Sequence, residues 1–228
     1  MTGHKFMQEV YEEMADRIAA LLEASRPVRG PARVLVGIVG CPGSGKSTAA
    51  LRVRDSLTFR GVSCQILPMD GFHYYRHQLD AMADPKHAHD RRGAPFTFDA
   101  VAFVDAVLAA SAQGGRLKCP SFDHRVKDPV QDDIEIDAET EVVIVEGNYL
   151  LLETPPWGSI RGLLDLSFFI DVDVDKAMSR VIGRQVAMGI PVAVSKQRIA
   201  NNDRPNALTV VATRHRADII APSLPLHR

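Results

Sequence analysis

The chain has 228 residues, of which 46% are hydrophobic, enough to build the core of one α/β domain without disulfides or metals. Lys and Arg total 27 against 28 Asp and Glu, so the formal charge of −1 lacks the basic surplus of proteins that bind a nucleic-acid backbone. These figures argue against a second full domain and against a nucleic-acid partner, and they favour a small-molecule partner.

The cysteines and the start of the chain bear on the compartment. Cys41, Cys64 and Cys119 show no metal-site spacing and no even disulfide framework, so we expect free thiols. The first residues lack the charged-then-apolar pattern of a signal peptide, and no stretch approaches the roughly 18 apolar residues of a membrane span. The sequence therefore predicts a cytoplasmic protein without a membrane partner, and it leaves open whether the chain forms a homo-oligomer.

The first predicted element is a helix. Apolar residues recur at helical spacing from Phe6 to Leu22, which predicts an amphipathic helix within residues 1–29 that ends before Pro27. We expect this helix to pack on the outside of the core that follows.

A phosphate-binding motif follows the apolar run Val34–Val39. Residues 40–47 read G-x-x-x-x-G-K-S, and a strand that enters a tight glycine turn aims successive backbone N–H groups at one anion. Lys46 would reach the β- and γ-phosphates of a nucleoside triphosphate, and the Ser47 hydroxyl would bind Mg²⁺. The predicted nucleotide-binding residues are Gly40, Cys41, Pro42, Gly43, Ser44, Gly45, Lys46, Ser47 and Thr48. The alternative is a chance match in a glycine-rich turn, but the motif has its strand before it and its helix after it.

Asp70 is the first candidate for chemistry on a second substrate. A helix from Ser47 to Phe59 and a strand from Val62 to Leu67 complete a βαβ unit, and Asp70 follows that strand. In an open parallel sheet it would face the same crevice as the phosphate loop, where its carboxylate could accept the proton of an attacking hydroxyl group. The alternative is that Asp70 only caps the turn before Gly71.

Residues 72–98 lose their periodicity and predict a long loop, and we assign residues 71–98 as an acceptor-site loop. Its histidines do not match a structural zinc pattern. His73 lies three residues from Asp70 and is a candidate for substrate contact, the alternative being a histidine that faces solvent. Arg91, Arg92 and His124 have the same standing.

The middle of the chain predicts one helix and several strands. Asp99 is predicted to cap a helix from Ala100 to Ala112, and residues 117–122 and 134–136 predict short strands at the domain edge. The continuous apolar run Leu166–Ile170 suits a parallel strand that is buried on both faces.

Glu146 ends another continuous apolar run, Val142–Val145. A phosphate-loop enzyme needs an acid at this place to hold the magnesium ion or its water molecules. Gly147 follows at once and leaves room for close approach. We therefore predict that Glu146 and Ser47 bind magnesium, and the alternative is a solvated strand end.

A helix from 174 to 189 carries Arg180 and Arg184, which share one face because they are four positions apart. Guanidinium groups bind phosphate oxygens in pairs of hydrogen bonds, and a mobile helix would bring them over the triphosphate. We therefore predict a lid over residues 174–205, the alternative being a solvated basic face.

The C-terminal part predicts two further helices, at 195–200 and 207–217, and a short strand at 218–220. Pro191 and Pro205 are expected to interrupt the helical segments, because proline lacks the N–H group that a helix interior requires.

Five segments together resemble the phosphoribulokinase/uridine kinase/bacterial pantothenate kinase superfamily. They are Gly40–Ser47, Met69–His73, Arg92–Pro95, Pro120–His124 and Val145–Asn148. The resemblance covers roughly residues 30 to 220 and is greatest for the branch called fructose-transport-system kinases or the nucleoside/nucleotide kinase family. It implies a three-layer α/β fold of the P-loop NTPase type, with a mainly parallel central sheet flanked by helices and a helical lid.

The resemblance also implies roles for particular residues. It makes Asp70 the base for a substrate hydroxyl and places Glu146 near magnesium, and it places Arg92 and His124 along the acceptor pocket. The chain reads Asp-Gly-Phe-His at 70–73, where uridine kinases typically read Asp-Ser-Phe-Tyr. The acceptor therefore stays open among sugars, nucleosides and pantothenate-like compounds.

These expectations describe one kinase domain over residues 1–228 that transfers the γ-phosphoryl group of ATP, with Mg²⁺, to a hydroxyl of a small metabolite. Its predicted catalytic residues are Asp70, Lys46, Arg180 and Arg184. A regulatory GTPase is one alternative, but the Asn-Lys-x-Asp motif that reads guanine does not occur. A nucleotide-binding scaffold without catalysis is the other, but it would need no base such as Asp70.

Overall fold

The structure is a computed structural model that describes residues 6–29, 33–112, 114–123 and 125–225. The described residues form seven strands: β1 (Val34–Val39), β2 (Cys64–Pro68), β3 (Leu117–Asp123), β4 (Asp128–Ile136), β5 (Val142–Gly147), β6 (Leu166–Asp171) and β7 (Ile219–Pro222). They also form eight α-helices: α1 (Met7–Arg29), α2 (Lys46–Phe59), α3 (Arg76–Asp80), α4 (Pro85–Asp90), α5 (Ala100–Ser111), α6 (Val174–Ala187), α7 (Val192–Arg198) and α8 (Arg204–Ala212).

Five of the strands form one parallel sheet in the order β2-β5-β1-β6-β7. Strands β1 and β5 lie inside this sheet, and all six residues of each are buried. Continuous apolar runs occur at these strands because helices cover both faces of the sheet. The sheet order places the carboxyl ends of β2, β5 and β1 side by side.

The two faces of the sheet carry different helices. On one face, α1 and α2 pack against side chains such as Val34, Val36 and Ile38 of β1. On the other face, α5, α6 and α8 pack with the 3₁₀ segment Trp157–Leu163 against side chains that include Leu35. The predicted three-layer α/β fold is therefore confirmed.

Strands β3 and β4 form a separate antiparallel hairpin at the edge of the domain. The hairpin packs against a 3₁₀ turn, Met69–Phe72, that directly follows β2. A Cβ atom on Gly71 would lie 2.0 Å from the carbonyl oxygen of Pro120 in β3, so only glycine fits here. The strand predicted at 134–136 is longer than expected: β4 runs from Asp128 to Ile136.

Two predictions about helix boundaries are wrong. Helix α1 continues past Pro27 to Arg29, where a proline in the last turn removes little of the helical hydrogen bonding. The expected loop at 72–98 contains the short helices α3 and α4; Asp84 begins α4 by accepting a hydrogen bond from the His87 amide.

The prediction that Pro205 interrupts the helical region is also wrong. Helices α7 and α8 are joined without a break by a π-turn, Ile199–Asp203. At its end the Arg204 amide donates to the Ile199 carbonyl, five residues back. This wider turn shifts the hydrogen-bond partners directly before Pro205, so the chain accommodates a residue that has no N–H group.

Two other predicted features, the cap of α5 and the free cysteines, agree with the structure. Asp99 caps α5, because its carboxylate accepts a hydrogen bond from the Ala102 amide at 3.0 Å. Cys41, Cys64 and Cys119 are free, and burial raises the pKa of Cys64 to about 12. Among the described residues, no helix combines the length and apolar character needed to span a bilayer.

Candidate active site

The loop between β1 and α2 has one braced side and one open side. Gly43 and Gly45 have φ angles of 81° and 95°, which residues with side chains rarely adopt. A Cβ on Gly43 would lie 2.3 Å from the carbonyl oxygen of Ala177 in α6, whereas a Cβ on Gly45 would meet nothing within 4 Å. The loop is therefore held against α6 while its other side stays accessible.

The open side of the loop faces a cavity of about 240 Å³. Its lining consists of Gly43, Gly45, Lys46, Ser47, Thr48, Arg180, Val181 and Arg184. Helix α2 starts at Lys46, so its positive N-terminal end adds to two arginines and a lysine around this space. The Ser44 hydroxyl is buried without a described hydrogen-bond partner. This concentration of donors fits the phosphates of a nucleotide.

Lys46, Ser47 and Glu146 meet at the carboxyl ends of β1 and β5. The Ser47 hydroxyl donates to Glu146 Oε1 at 3.2 Å, and Lys46 Nζ lies 3.7 Å from the same oxygen. Burial raises the pKa of Glu146, the charge of Lys46 opposes this change, and the charge of Asp70 adds to it. A buried carboxylate beside a hydroxyl offers the hard oxygen ligands that Mg²⁺ prefers.

Asp70 lies in the turn Met69–Phe72 at the end of the neighbouring strand. Strand β2 pairs with β5 so that Pro68 faces Glu146. A Cβ on Gly147 would lie 2.7 Å from the Cβ of Met69, so the glycine after Glu146 lets this turn approach closely. The Asp70 carboxylate forms no hydrogen bond or ion pair with a described residue. The structure thus brings Asp70 to the same edge of the sheet as the phosphate loop.

His73 packs beside Asp70 and does not project into solvent. Its Nδ1 atom lies 2.8 Å from the Asp70 carbonyl oxygen. Its ring centroid lies 3.9 Å from that of Phe98 and 4.9 Å from that of Phe122. These contacts fix the ring between the acceptor-site loop and the hairpin. His124, which was predicted to bind the acceptor, lies outside the described residues.

Arg92 uses most of its donors to join the acceptor-site loop to the hairpin. Its Nη2 atom donates to Asp128 Oδ1 at 3.0 Å and to the Tyr74 carbonyl at 2.8 Å, and its Nη1 donates to the Lys127 carbonyl at 2.6 Å. The guanidinium carbon also lies 5.7 Å from the centroid of the Phe122 ring. These contacts hold the loop at 71–98 against the hairpin β3–β4.

The other histidines of the loop are engaged separately. His89 Nε2 lies 2.7 Å from Asp80 Oδ1, and the ring of His87 stacks on Phe96 with centroids 5.5 Å apart. Within the described ranges, no three His, Cys, Asp or Glu side chains gather closely enough to hold a metal ion.

The two lid arginines differ in their contacts. Arg180 Nη1 donates to the carbonyls of Gly43 and Ser44, at 3.2 and 3.4 Å, and to the Ser223 hydroxyl at 2.9 Å. Arg184 lines the same cavity, but its side chain forms no hydrogen bond with a described residue. Arg180 therefore braces the phosphate loop, whereas Arg184 has its donors available to a ligand.

The sequence analysis missed a polar group of lid residues next to this site. Asp203 lies in the π-turn, and burial raises the pKa of its carboxyl group, which Gln185 Nε2 approaches at 3.5 Å. The neighbouring Asn202 contacts the acceptor-site loop. The run Asn-Asn-Asp at 201–203, between the two helices predicted at 195–200 and 207–217, was the available signal, because these polar residue types are poor helix formers.

The model of the "Phosphoribulokinase / Uridine kinase family" matches residues 35–228. Protein C227.14 of Schizosaccharomyces pombe, provisionally named a uridine kinase, is 39% identical over 197 residues, which are 85% of this chain and 81% of that protein. Protein YggC of Escherichia coli, which is uncharacterised, is 32% identical over 221 residues, covering 95% and 89% of the two chains. A crystal structure from Silicibacter sp. TM1040, provisionally described as a fructose transport system kinase, superposes with a TM-score of 0.83 at 30% identity, covering 96% and 99%.

Proposed function

Because the chain belongs to the phosphoribulokinase/uridine kinase family, we propose that it transfers the γ-phosphoryl group of MgATP to an alcohol group of a small metabolite. The observation that carries this proposal is the meeting of Lys46, Ser47, Glu146 and Asp70 at the ends of three adjacent parallel strands. Ligands of open parallel sheets bind at this edge. A phosphotransferase site needs a base, a phosphate-binding loop and a carboxylate that can bind magnesium. Asp70, the loop at 40–47 and Glu146 would supply these groups at one edge of the sheet.

The relatives support an alcohol as the acceptor. The two that carry provisional names are called a uridine kinase and a fructose transport system kinase, and uridine and fructose both present hydroxyl groups. Asp70 suits such an acceptor, because its carboxylate has no described ion-pair partner and can take the hydroxyl proton. The acceptor oxygen would then bond to the γ-phosphorus while the bond to the β–γ bridging oxygen breaks and ADP leaves.

The charges around the phosphate loop suit the stabilisation of negative charge on the phosphoryl group during its transfer. Lys46 and Arg184 line the cavity from opposite elements, so they would stabilise negative charge on the transferring group. Ser47 and Glu146 would hold Mg²⁺, which would neutralise charge on the β- and γ-phosphates. Arg180 would act indirectly, by holding the carbonyl groups of the loop.

The same proposal includes the division of the chain and its location. Residues 1–29 would form the N-terminal helix, 71–98 the acceptor-site loop and 174–205 the lid of a single kinase domain. His73 and Arg92 would shape the acceptor pocket from the loop side. The free thiols of Cys41, Cys64 and Cys119 favour a cytoplasmic location.

A screen tests the proposal. Purified protein with MgATP is incubated with a panel of sugars, nucleosides, pantothenate and related vitamins, and ADP formation is measured for each. ³¹P NMR of the product then shows whether a phosphate ester has formed. We expect one acceptor class to give ADP and ester in equal amounts, with both lost in Lys46→Ala. ATP binding without ester formation from any alcohol would contradict the proposal.

A further inference from the structure

The lid and the acceptor-site loop meet at a polar junction, which consists of Arg91, Asn202 and Asn206. Arg91 Nε donates to Asn202 Oδ1 at 3.2 Å, and Arg91 Nη2 donates to Asn206 Oδ1 at 3.0 Å. Asn206 Nδ2 also donates to Asn202 Oδ1 at 3.0 Å, and Asn202 Nδ2 donates to the Arg92 carbonyl at 2.8 Å. One guanidinium group therefore holds the side-chain amide of Asn202 in the lid and that of Asn206 in α8 at once.

The loop side of this junction is fixed from a second direction. Gly93 has a φ angle of 103°, and a Cβ there would lie 3.8 Å from Asn206 Nδ2. The Tyr149 hydroxyl, from the segment that follows β5, donates to the Gly93 carbonyl at 2.6 Å. Residues 91–93 are thus bound to the lid on one side and to the sheet on the other.

The lid side of the junction leads to the phosphate cavity. Asp203 follows Asn202 in the π-turn and accepts a hydrogen bond from Gln185 Nε2 at 3.5 Å, and Gln185 is next to Arg184 in α6. Burial raises the pKa of the Asp203 carboxyl group, and this change is opposed by the charge of Arg198, by the hydrogen bond from Gln185 and, least strongly, by the charge of Arg184. The same π-turn therefore contacts the acceptor-site loop through one residue and the Arg184 region through the next.

We propose that Arg91 and Asn202 are positioning residues for phosphoryl transfer. The junction fixes the position of the π-turn. The hydrogen bond between Asp203 in this turn and Gln185 in α6 then fixes the position of the neighbouring Arg184 at the phosphate cavity. Lid position then depends on the conformation of the acceptor-site loop, so that an occupied acceptor site favours a catalytically complete lid. This inference rests on the proposed kinase function.

A double-mutant cycle between Asn202→Ala and Arg184→Ala tests it. With the acceptor found in the screen, Asn202→Ala should lower the kcat of transfer by about tenfold while the KM for ATP stays within about twofold. In the Arg184→Ala background the same change should have less than about a twofold effect, because the residue through which it acts is gone. Arg91→Ala should behave like Asn202→Ala. Asn202→Asp should recover only part of the rate, because it keeps the oxygen that Arg91 contacts but loses the N–H group that donates to the Arg92 carbonyl.

Asn201→Ala is the matched control, since Asn201 is the exposed neighbour in the same turn and should leave kcat unchanged. Additive effects of Asn202→Ala and Arg184→Ala, or an equal loss in Asn201→Ala, would overturn the inference. Hydrogen exchange of residues 174–187 with and without MgADP needs no acceptor. MgADP should protect these amides in the wild type and in Asn201→Ala, and about tenfold less in Asn202→Ala. Equal protection in all three proteins would overturn the inference, whether or not the wild type transfers phosphate. Absence of transfer by the wild type would, by itself, count only against the proposed kinase function.

Discussion

Glu146 lies near the end of β5, and Asp70 follows the neighbouring parallel strand β2, whose Pro68 is paired with Glu146. The two carboxyl groups nevertheless have different surroundings. Glu146 is buried beside Lys46, and burial and the charge on Asp70 raise its pKa. Asp70 has no ion pair with a described residue. Two acids in different environments can serve different roles. Burial opposes the ionisation of Glu146 and the charge of Lys46 favours it, whereas we propose Asp70 as the group that accepts the proton of the acceptor hydroxyl.

Replacing Glu146 should therefore stabilise the nucleotide-free protein. A carboxyl group whose pKa is raised on folding binds more protons in the folded state, so its contribution makes the free energy of unfolding fall as pH rises. Glu146→Gln removes this penalty and should raise the Tm by about 2 °C at pH 8. The gain should shrink as pH falls towards the unfolded value of about 4.3. Thermal melts from pH 4.5 to 8 check this.

Magnesium-dependent turnover should be lost in the same Glu146→Gln protein. Glu139→Gln, at an exposed position in the turn before β5, is the control and should change neither Tm nor turnover. A lower Tm for Glu146→Gln at pH 8 would show that the ion pair with Lys46 outweighs the burial of the carboxylate.

The double change Lys46→Ala and Ser47→Ala should nearly abolish ATP turnover and leave the fold intact. The shape of the loop comes from Gly43 and Gly45, whose left-handed angles do not depend on these two side chains. Circular dichroism and a coupled ADP assay give the two readings. Retained turnover would mean that the phosphate loop does not bind the reacting nucleotide.

The two lid arginines should fail in different ways when replaced. Arg184→Ala should lower kcat by at least about tenfold with little change in the acceptor KM. The reason is that the proposed contact between Arg184 and the transferring phosphoryl group would strengthen as negative charge develops in the transition state. Arg180→Ala should chiefly weaken MgATP binding, because the carbonyls of Gly43 and Ser44 lose their donor. Steady-state kinetics and calorimetric titration with MgATP separate the two effects. A raised acceptor KM with unchanged kcat in Arg184→Ala would make α6 an ordinary surface helix.

Arg92→Ala should destabilise the hairpin region, because it removes an ion pair with Asp128 and two hydrogen bonds to carbonyls at a largely buried position. We expect a loss of about 2 kcal/mol in the free energy of unfolding, measured by urea denaturation. Arg125→Ala is the control: the Arg125 side chain is 92% exposed, and its loss should cost less than about 0.5 kcal/mol. Unchanged stability with a raised acceptor KM would instead make Arg92 a direct contact of the acceptor.

The sequence predicts the sheet and the phosphate loop well, because both depend on local signals. The run Val142–Val145 is continuous and apolar because its strand is covered on both faces, and the loop motif fixes the order of strand, turn and helix. The predicted meeting of Ser47 and Glu146 follows from the parallel order and the loop motif together, since Glu146 lies near the carboxyl end of β5 and Ser47 begins the helix that follows the adjacent strand β1.

The contacts that join distant segments could not be predicted in the same way. Arg91 and Asn202 are 111 residues apart, and nothing local selects one partner for the other. Arg92 lies in a motif that implies contact with the acceptor. The position of the hairpin, which cannot be read from the sequence, instead places Asp128 where it forms an ion pair with Arg92. The break predicted at Pro205 was wrong because the π-turn directly before it, and its place in the first turn of α8, accommodate a residue without an N–H group.

Asp70→Asn tests the central claim most directly. The change keeps the size and the hydrogen-bonding capacity of the side chain but removes the proton acceptor, and it should leave MgATP affinity within a few-fold. Single-turnover phosphoryl transfer to the acceptor found in the screen is measured beside direct MgATP binding, for the wild type and for Asp70→Asn. The account predicts a fall in transfer of at least about 10²-fold with binding retained. Unchanged transfer would contradict Asp70 as the base, and loss of MgATP binding would assign it to the magnesium site instead.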